Sequence, residues 1–134
     1  GTMTDRTEEK KQGEVMADRV LIVDDELDML VLLKRMLTEK SAYEVITTPN
    51  PLEVEALLRE KSFQLVITDL IMPGRDGIEV LEAAKKVNPD LPVIIITAFG
   101  NIESAVEAMR KGAFDYITKP FRQEQILLTI RLQN

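Results

Sequence analysis

The sequence of 134 residues contains neither cysteine nor histidine. Without cysteine the chain has no disulfide, no thiolate nucleophile and no thiolate zinc site. Without histidine it has no imidazole base, no imidazole metal ligand and no phosphohistidine. Together the two absences exclude much of familiar enzyme chemistry.

The chain also lacks an excess of positive charge, because 17 basic residues stand against 23 acidic ones for a net charge of −6. Affinity for a phosphate backbone comes largely from clustered lysine and arginine, so we expect no direct nucleic-acid binding by this segment. No apolar run approaches the roughly 20 residues of a membrane-spanning helix, and no secretory signal is visible. We therefore expect a cytoplasmic protein that does not enter a membrane.

The length is close to the roughly 150 residues of an average domain, which favours one domain over two. With 45% hydrophobic and 30% charged residues, the composition is that of a globular protein. Residues 1–18 are polar and show no apolar periodicity, so they are predicted to be a disordered tail or a cloning scar. The folded domain is assigned to residues 19–134.

After residue 18, short runs rich in valine, isoleucine and leucine alternate with longer amphipathic stretches, a pattern typical of repeated βαβ units. The predicted strands are 19–23, 43–47, 65–68, 93–97 and 114–118. The predicted helices are 27–38, 51–61, 77–87, 102–111 and 123–132. The pattern predicts an α/β fold: a doubly wound five-stranded parallel sheet with helices on both faces, for which 2-1-3-4-5 is a common strand order.

Within this scheme, the mixed composition of strand 43–47 predicts a position at the sheet edge. Helical spacing also predicts apolar faces on two helices. The residues concerned are Leu52, Ala56 and Leu57 in the second helix, and Ile102, Ala105, Val106 and Met109 in the fourth.

Polar residues stand where the predicted strands end. Asp24, Asp25 and Glu26 follow the first strand, Asp69 follows the third, Thr97 closes the fourth and Lys119 follows the fifth. The carboxyl ends of parallel strands share one edge of the sheet, so we expect these side chains to converge there.

Three carboxylates in close proximity repel one another unless a cation is bound, and Mg²⁺ prefers oxygen ligands. Asp69 could then act as a nucleophile toward a phosphoryl group. Lys119 would neutralise charge on the phosphoryl oxygens, and the Thr97 hydroxyl would donate to one of them. Pro120 favours extended backbone at Lys119, and the bond between them could be cis.

Four segments carry a family resemblance: VLIVDDE, VITDLIMPGRDGIEVL, VIIITAFG and GAFDYITKPF, in this order. They resemble the receiver domain of bacterial two-component response regulators, which is CheY-like and has the flavodoxin-like fold. The resemblance covers about residues 19 to 132. It implies that Asp69 is the phosphoacceptor and that Lys119 contacts the phosphoryl group.

The same resemblance implies the metal ligands and the switch pair. Asp25, Asp69 and the backbone carbonyl of Ile71 would bind Mg²⁺, with Asp24 acting mainly through metal-bound water. Thr97 and Tyr116 would form the switch pair that alters the surface of the fourth helix, fifth strand and fifth helix.

The implied phosphoryl donor is a sensor histidine kinase. The stretch TAFGNIESAVEAMRKGAFDYITKPF is similar to receivers of the nitrogen-regulation type, which in sigma-54-dependent activators precede an ATPase domain and a DNA-binding domain. The resemblance thus implies a signalling domain that controls transcription and catalyses only its own phosphorylation and dephosphorylation. A homodimer through the fourth helix and fifth strand is a further expectation.

Two alternatives stay open. A Mg²⁺-dependent phosphohydrolase of the haloacid-dehalogenase type also uses an aspartate nucleophile, but such enzymes want a second aspartate where this chain has Ile71. A receiver-like binding module that is never phosphorylated is the other. Taken singly, Asp24 and Asp25 could be a helix cap, and Tyr116 could be packing alone.

The two apolar residues Ile71 and Phe99 follow Asp69 and Thr97 by two positions each. We hypothesise that they shield the acyl phosphate from water and lengthen its lifetime.

Overall fold

The structure of the chain, a computed structural model, describes residues 18–39 and 42–132. The predicted tail, apart from Asp18, lies outside these residues. The strands are β1 (Arg19–Val23), β2 (Glu44–Thr48), β3 (Leu65–Thr68), β4 (Val93–Thr97) and β5 (Asp115–Thr118). The helices are α1 (Leu27–Glu39), α2 (Val54–Glu60), α3 (Gly77–Val87), α4 (Ile102–Arg110) and α5 (Gln123–Leu132). Within the two described ranges, no helix is long and apolar enough to cross a membrane.

The five strands form one parallel sheet in the order β2-β1-β3-β4-β5, which confirms the predicted topology. The mixed strand β2 lies at an edge, as predicted. Helices cover both faces: residues of α1 and α5 pack in one core, and residues of α2, α3 and α4 pack in the other.

The sheet separates the two cores because successive residues of a strand point to opposite faces. In β1, Leu21 and Val23 belong to one core, and Val20 and Ile22 belong to the other. A central strand is therefore apolar at nearly every position, which explains the unbroken runs in the sequence.

The predicted boundaries differ from the observed ones mainly in the second helix. The prediction of one helix over 51–61 is wrong, because Pro51–Glu53 is a 3₁₀ helix that precedes α2. Its tight turn is closed by the Asn50 side chain, which accepts a hydrogen bond of 3.0 Å from the Leu52 amide. Strands β2 and β5 each begin one residue later than predicted.

The predicted apolar face of the second helix is also wrong. Leu52 and Ala56 are exposed and Leu57 is half-buried, whereas Val54 and Leu58 are buried. The 3₁₀ turn rotates Leu52 away from the sheet, toward the loop that contains Gly74.

On α4 the predicted apolar face is present, but it points away from the sheet. The large residues Ile102, Val106 and Met109 are 82%, 48% and 48% exposed, and the fully buried residue is Ala108. Small side chains let the helix lie close to the sheet, so the large apolar residues of this helix face outward. We call Ile102, Val106 and Met109 the α4 stripe.

Candidate functional site

The predicted site residues lie together at the carboxyl edge of the sheet. Asp24 follows β1, Asp69 follows β3, Thr97 is the last residue of β4, and Lys119 follows β5. Backbone hydrogen bonds carry the sheet pairing into the site, since the Asp69 amide donates to the Val23 carbonyl and the Lys119 amide donates to the Thr97 carbonyl. The edge thus holds these residues on regular backbone, and the Lys119–Pro120 peptide bond is cis.

Three carboxylates form the centre of the site. Asp24, Asp25 and Asp69 each offer an oxygen, and these oxygens lie within 4.8 Å of one another. The side chains of Asp24 and Asp69 are buried, whereas that of Asp25 is exposed. Two buried carboxylates beside a third form a strongly anionic pocket with one side open to solvent.

Burial raises the pKa of Asp24 and the pKa of Asp69 above their ordinary value. The hydrogen bond from the Glu26 amide and the charge of Lys119 oppose the shift at Asp24. The charge of Lys119 and the hydrogen bond from the Leu70 amide oppose it at Asp69. Burial outweighs these partners at both positions. Separately, three carboxylates face a single lysine, so when they are ionised the pocket carries more negative charge than its own cation compensates.

That cation, Lys119, lies close to both buried carboxylates and to Glu26. Its Nζ lies 3.5 Å from Asp24 Oδ2, 3.8 Å from Asp69 Oδ2 and 3.8 Å from Glu26 Oε1. The lysine side chain is 12% exposed, so its charge acts in a largely desolvated setting.

The two oxygens of Asp69 have different partners. Oδ1 accepts a hydrogen bond of 2.7 Å from the Leu70 amide, which orients the carboxylate. Oδ2 is the oxygen closest to Lys119. Behind Asp69 the backbone packs tightly on the start of α3, where a Cβ on Gly77 would lie 2.9 Å from the Cα of Leu70.

Thr97 and Tyr116 lie on neighbouring strands beside the pocket. The Thr97 hydroxyl is close enough to Asp69 to help lower the pKa of that carboxyl, against the larger effect of burial. Thr97 Oγ1 accepts a hydrogen bond of 3.1 Å from the Phe99 amide. The half-buried Tyr116 hydroxyl lies 2.7 Å from Ser104 Oγ. The sequence did not single out Ser104, although its position three residues after Asn101 is a capping signal.

Ile71 and Phe99, the two residues hypothesised to shield the acyl phosphate, lie in the loops after β3 and β4. Ile71 is 54% exposed and Phe99 is 71% exposed. Both side chains are thus open to solvent.

This fold and this acidic edge define a class of protein. The family model of the response regulator receiver domain matches residues 20–131. The chain belongs to that family, and as a two-component receiver it has a role in signalling. Because the chain belongs to the receiver family, the haloacid-dehalogenase alternative is rejected.

Among curated proteins, the chain is similar to the transcriptional regulatory protein ZraR of Klebsiella oxytoca, with 39% identity over 111 residues, 83% of this chain. It spans only 25% of that relative.

Two solved structures are similar over most of the chain. NtrX from Brucella abortus, solved in complex with ADP, has a TM-score of 0.81 and 36% identity over 88% of this chain and 27% of its own. The beryllofluoride-activated NtrC4 receiver domain dimer has a TM-score of 0.81 and 37% identity over 86% of this chain and 94% of its own. These relatives support the predicted similarity to the receivers of sigma-54-dependent activators.

Proposed function

We propose that Asp69 accepts a phosphoryl group from the phosphohistidine of a sensor histidine kinase, and that the modified Asp69 changes the surface of α4, β5 and α5. The observation that carries the proposal is the pocket itself: three clustered carboxylate oxygens with Lys119 Nζ 3.8 Å from Asp69 Oδ2. This intact acidic pocket argues against a receiver-like binding module that is never phosphorylated.

The residues of the pocket fit a divalent cation. Oxygen donors suit Mg²⁺, and the excess negative charge of the pocket favours a small dication. We assign Asp24, Asp25, Asp69 and the backbone carbonyl of Ile71 as the residues that would hold it. When bound, the ion would neutralise charge that develops on the phosphoryl oxygens.

Asp69 Oδ2 is the better placed nucleophile, because Oδ1 is already held by the Leu70 amide. In the transfer, a bond forms between this oxygen and phosphorus while the phosphorus–nitrogen bond of the donor breaks. The electron pair of that bond leaves with the donor imidazole. Lys119 would offset the charge of the phosphoryl group, and the Thr97 hydroxyl would donate to one of its oxygens.

The chain would act on no other substrate, since its chemistry is confined to gaining and losing a phosphoryl group at its own aspartate. Loss occurs when water attacks the phosphorus and Asp69 is released as the carboxylate.

The signal would pass through Thr97 and Tyr116 to the outer surface of α4 and β5. The name of ZraR and the ADP complex of NtrX support an output that includes an ATPase domain and a DNA-binding domain in the full-length protein. The NtrC4 receiver domain dimer supports a homodimer. We place its interface on α4 and β5, where the α4 stripe is exposed. We place this signalling in the cytoplasm.

The decisive experiment incubates the protein with acetyl phosphate and Mg²⁺ and measures intact mass. The wild type should gain one phosphoryl group, and Asp69→Asn should gain none. Asp90→Asn, which changes an exposed loop aspartate, is the matched control and should react like the wild type. Phosphoryl incorporation by Asp69→Asn at the wild-type level would overturn the assignment of Asp69.

The metal assignment has its own test. Asp25→Ala should weaken Mg²⁺ binding by tenfold or more, because a charged ligand removed from an ion costs on the order of 1.4 kcal/mol or more. Isothermal titration calorimetry measures the Mg²⁺ affinity of both proteins directly. Equal affinity in Asp25→Ala and in the wild type would contradict the assignment.

A further inference from the structure

The ring of Tyr116 lies against Gly100, the third residue after β4, in a space that we call its seat. A Cβ on Gly100 would lie 2.7 Å from the Tyr116 hydroxyl oxygen and 2.9 Å from Tyr116 Cε1, and 3.2 Å from Thr97 Cγ2. Real Cβ atoms essentially never show contacts under 3.0 Å, so a larger residue at position 100 would displace the Tyr116 ring. Gly100 therefore admits Tyr116 to the space beside the methyl group of Thr97.

Ser104 contacts the same hydroxyl end of Tyr116 while it caps α4. The Asn101 amide donates to Ser104 Oγ at 3.2 Å, and Ser104 Oγ lies 3.1 Å from the Asn101 carbonyl. The Ser104 amide in turn donates to Asn101 Oδ1 at 2.8 Å. The helix cap thus already uses both the donor and one acceptor site of the serine hydroxyl.

A serine hydroxyl has one donor and two acceptor sites. The Ser104 hydroxyl donates its proton to the Asn101 carbonyl and accepts from the Asn101 amide. Its second acceptor site is then left for the Tyr116 hydroxyl, which lies 2.7 Å away and is the donor. This distribution satisfies every site of Ser104. Movement of Tyr116 out of its seat therefore removes a hydrogen bond from the group that caps α4.

We propose that Ser104 and Gly100 are positioning residues that seat Tyr116 beside Thr97 and couple the tyrosine to the N-terminal cap of α4. The inference rests on the proposed function in one respect, namely that Thr97 responds to the phosphoryl group. A displacement of Thr97 then changes the fit of Tyr116, and the change reaches the first turn of α4. The α4 stripe begins in that turn, at Ile102.

The composition of the chain allows a clean spectroscopic test. There are two tyrosines and no tryptophan, so a Tyr43→Phe background leaves Tyr116 as the sole strong fluorophore. Acrylamide quenching of this fluorescence, without metal or phosphoryl donor, reports how accessible the ring is.

Ser104→Ala should make Tyr116 more accessible to acrylamide. Loss of one ordinary hydrogen bond changes the ratio of seated to unseated ring by about two- to tenfold. Ser104→Thr keeps the hydroxyl and should restore wild-type quenching, whereas Gly100→Ala should expose the ring with Ser104 intact. Unchanged quenching in both Ser104→Ala and Gly100→Ala would overturn the proposal.

The coupling to α4 is tested in the opposite direction by Tyr116→Phe, which removes a single oxygen. Amide hydrogen exchange at Asn101 and Ser104 should accelerate about two- to tenfold, the effect of one lost hydrogen bond. The control is the cap of α3, which has the same design in Asp76 and Glu79, without a tyrosine among its hydrogen bonds. Exchange that is unchanged at Asn101 and Ser104, or equally accelerated at Glu79, would refute the coupling.

Failure of this inference is separable from failure of the proposed function. Ser104 does not contact the carboxylate pocket, so Ser104→Ala should still be phosphorylated on Asp69 to the wild-type extent, as measured by intact mass. An Asp69 that is never phosphorylated would refute the proposed function, while the ligand-free quenching and exchange measurements would still decide the role of Ser104 and Gly100.

Discussion

At the scale of single residues, the buried carboxylates of the pocket lower the stability of the fold when they are ionised. Asp24 and Asp69 are buried close together, and burial raises the pKa of both. A carboxyl group with a raised pKa binds its proton more readily in the folded chain than in the unfolded one, so its ionisation at neutral pH destabilises the fold. A cation bound among these carboxylates would offset this cost of ionisation.

Replacing Asp69 with asparagine should stabilise the protein when no divalent cation is present. Asparagine keeps the oxygen that accepts from the Leu70 amide and removes the buried charge. A gain of roughly 1 kcal/mol would raise the thermal midpoint by about 3–5 °C in a domain of this size. Calorimetry at neutral pH measures the difference.

The pH dependence of that difference follows from the sign of the shift. Because the pKa of Asp69 is raised in the folded state, wild-type stability falls as the pH rises from the ordinary carboxyl range through the folded pKa. The advantage of Asp69→Asn should thus be largest at neutral pH and vanish in acid, where Asp69 is protonated. An advantage that grows as the pH falls would contradict this account. Added Mg²⁺ should stabilise the wild type more than the variant.

The lifetime of the phosphorylated state is a second property of single residues. If Ile71 and Phe99 hinder the approach of water to Asp69, then Ile71→Asn combined with Phe99→Asn should shorten the lifetime. About tenfold is expected for roughly 1.4 kcal/mol of barrier, measured as loss of phosphoryl label over time. Leu128→Asn changes an exposed leucine on α5 and is the control. An unchanged lifetime in the double variant would reject the shielding hypothesis.

At the scale of elements, an ion pair links α2 to the loop between β3 and α3. Arg75 binds both carboxylate oxygens of Glu55 at 2.6 and 3.1 Å, and its Nη1 also lies 3.4 Å from the Pro51 carbonyl. Hydrogen bonding to Arg75 lowers the pKa of Glu55. The pair therefore stabilises the fold above the ordinary pKa of glutamate and loses this effect as the pH falls through the lowered value. The loop held in this way contains Ile71.

Arg75→Met should loosen that loop and weaken Mg²⁺ binding, because Ile71 would be less firmly positioned. We expect about a twofold to fivefold loss of affinity and a loss of up to about 1 kcal/mol in the free energy of unfolding. Calorimetric Mg²⁺ titration and urea denaturation measure the two effects.

The matched control is Lys111→Met. It breaks an exposed ion pair between Lys111 and Glu82, two residues outside the carboxylate pocket. Mg²⁺ affinity in that variant should equal the wild-type value. A wild-type affinity in Arg75→Met as well would show that the ion pair does not position the Mg²⁺ site.

At the scale of the whole molecule, the sheet separates a face that bears α1 and α5 from a face that bears α2, α3 and α4. Large apolar side chains are exposed on both faces, among them the α4 stripe and Val31 on α1. The proposed homodimer would cover the α4 stripe and so remove apolar surface from water.

Beryllofluoride with Mg²⁺ should increase self-association, measured by sedimentation equilibrium. Val106→Glu, which places a charge in the α4 stripe, should abolish the increase, although its Asp69 should still be phosphorylated by acetyl phosphate as measured by intact mass. The control is Val31→Glu, a similarly exposed position on the other face of the sheet, which should associate like the wild type. Equal association of Val106→Glu and the wild type would exclude the α4 stripe from the interface.

The type and order of the helices and strands could be predicted from the local sequence pattern, and so could most residues of the pocket. Residues that alternate between two buried faces must be apolar throughout a central strand, and proline and glycine interrupt the helical pattern. Parallel strands then bring their carboxyl ends to one edge, so the places of Asp24, Asp69, Thr97 and Lys119 could be predicted from where the apolar runs stop.

The local sequence pattern could not predict which face of a helix packs on the sheet, nor which distant segments contact each other. Periodicity locates an apolar stripe, but the stripe faces the sheet on one helix and solvent on another, because small residues such as Ala108 can fill the buried side. The pairing of Arg75 with Glu55 and of Tyr116 with Ser104 joins residues 20 and 12 positions apart. Such contacts depend on the packing distance between elements, which no local pattern encodes.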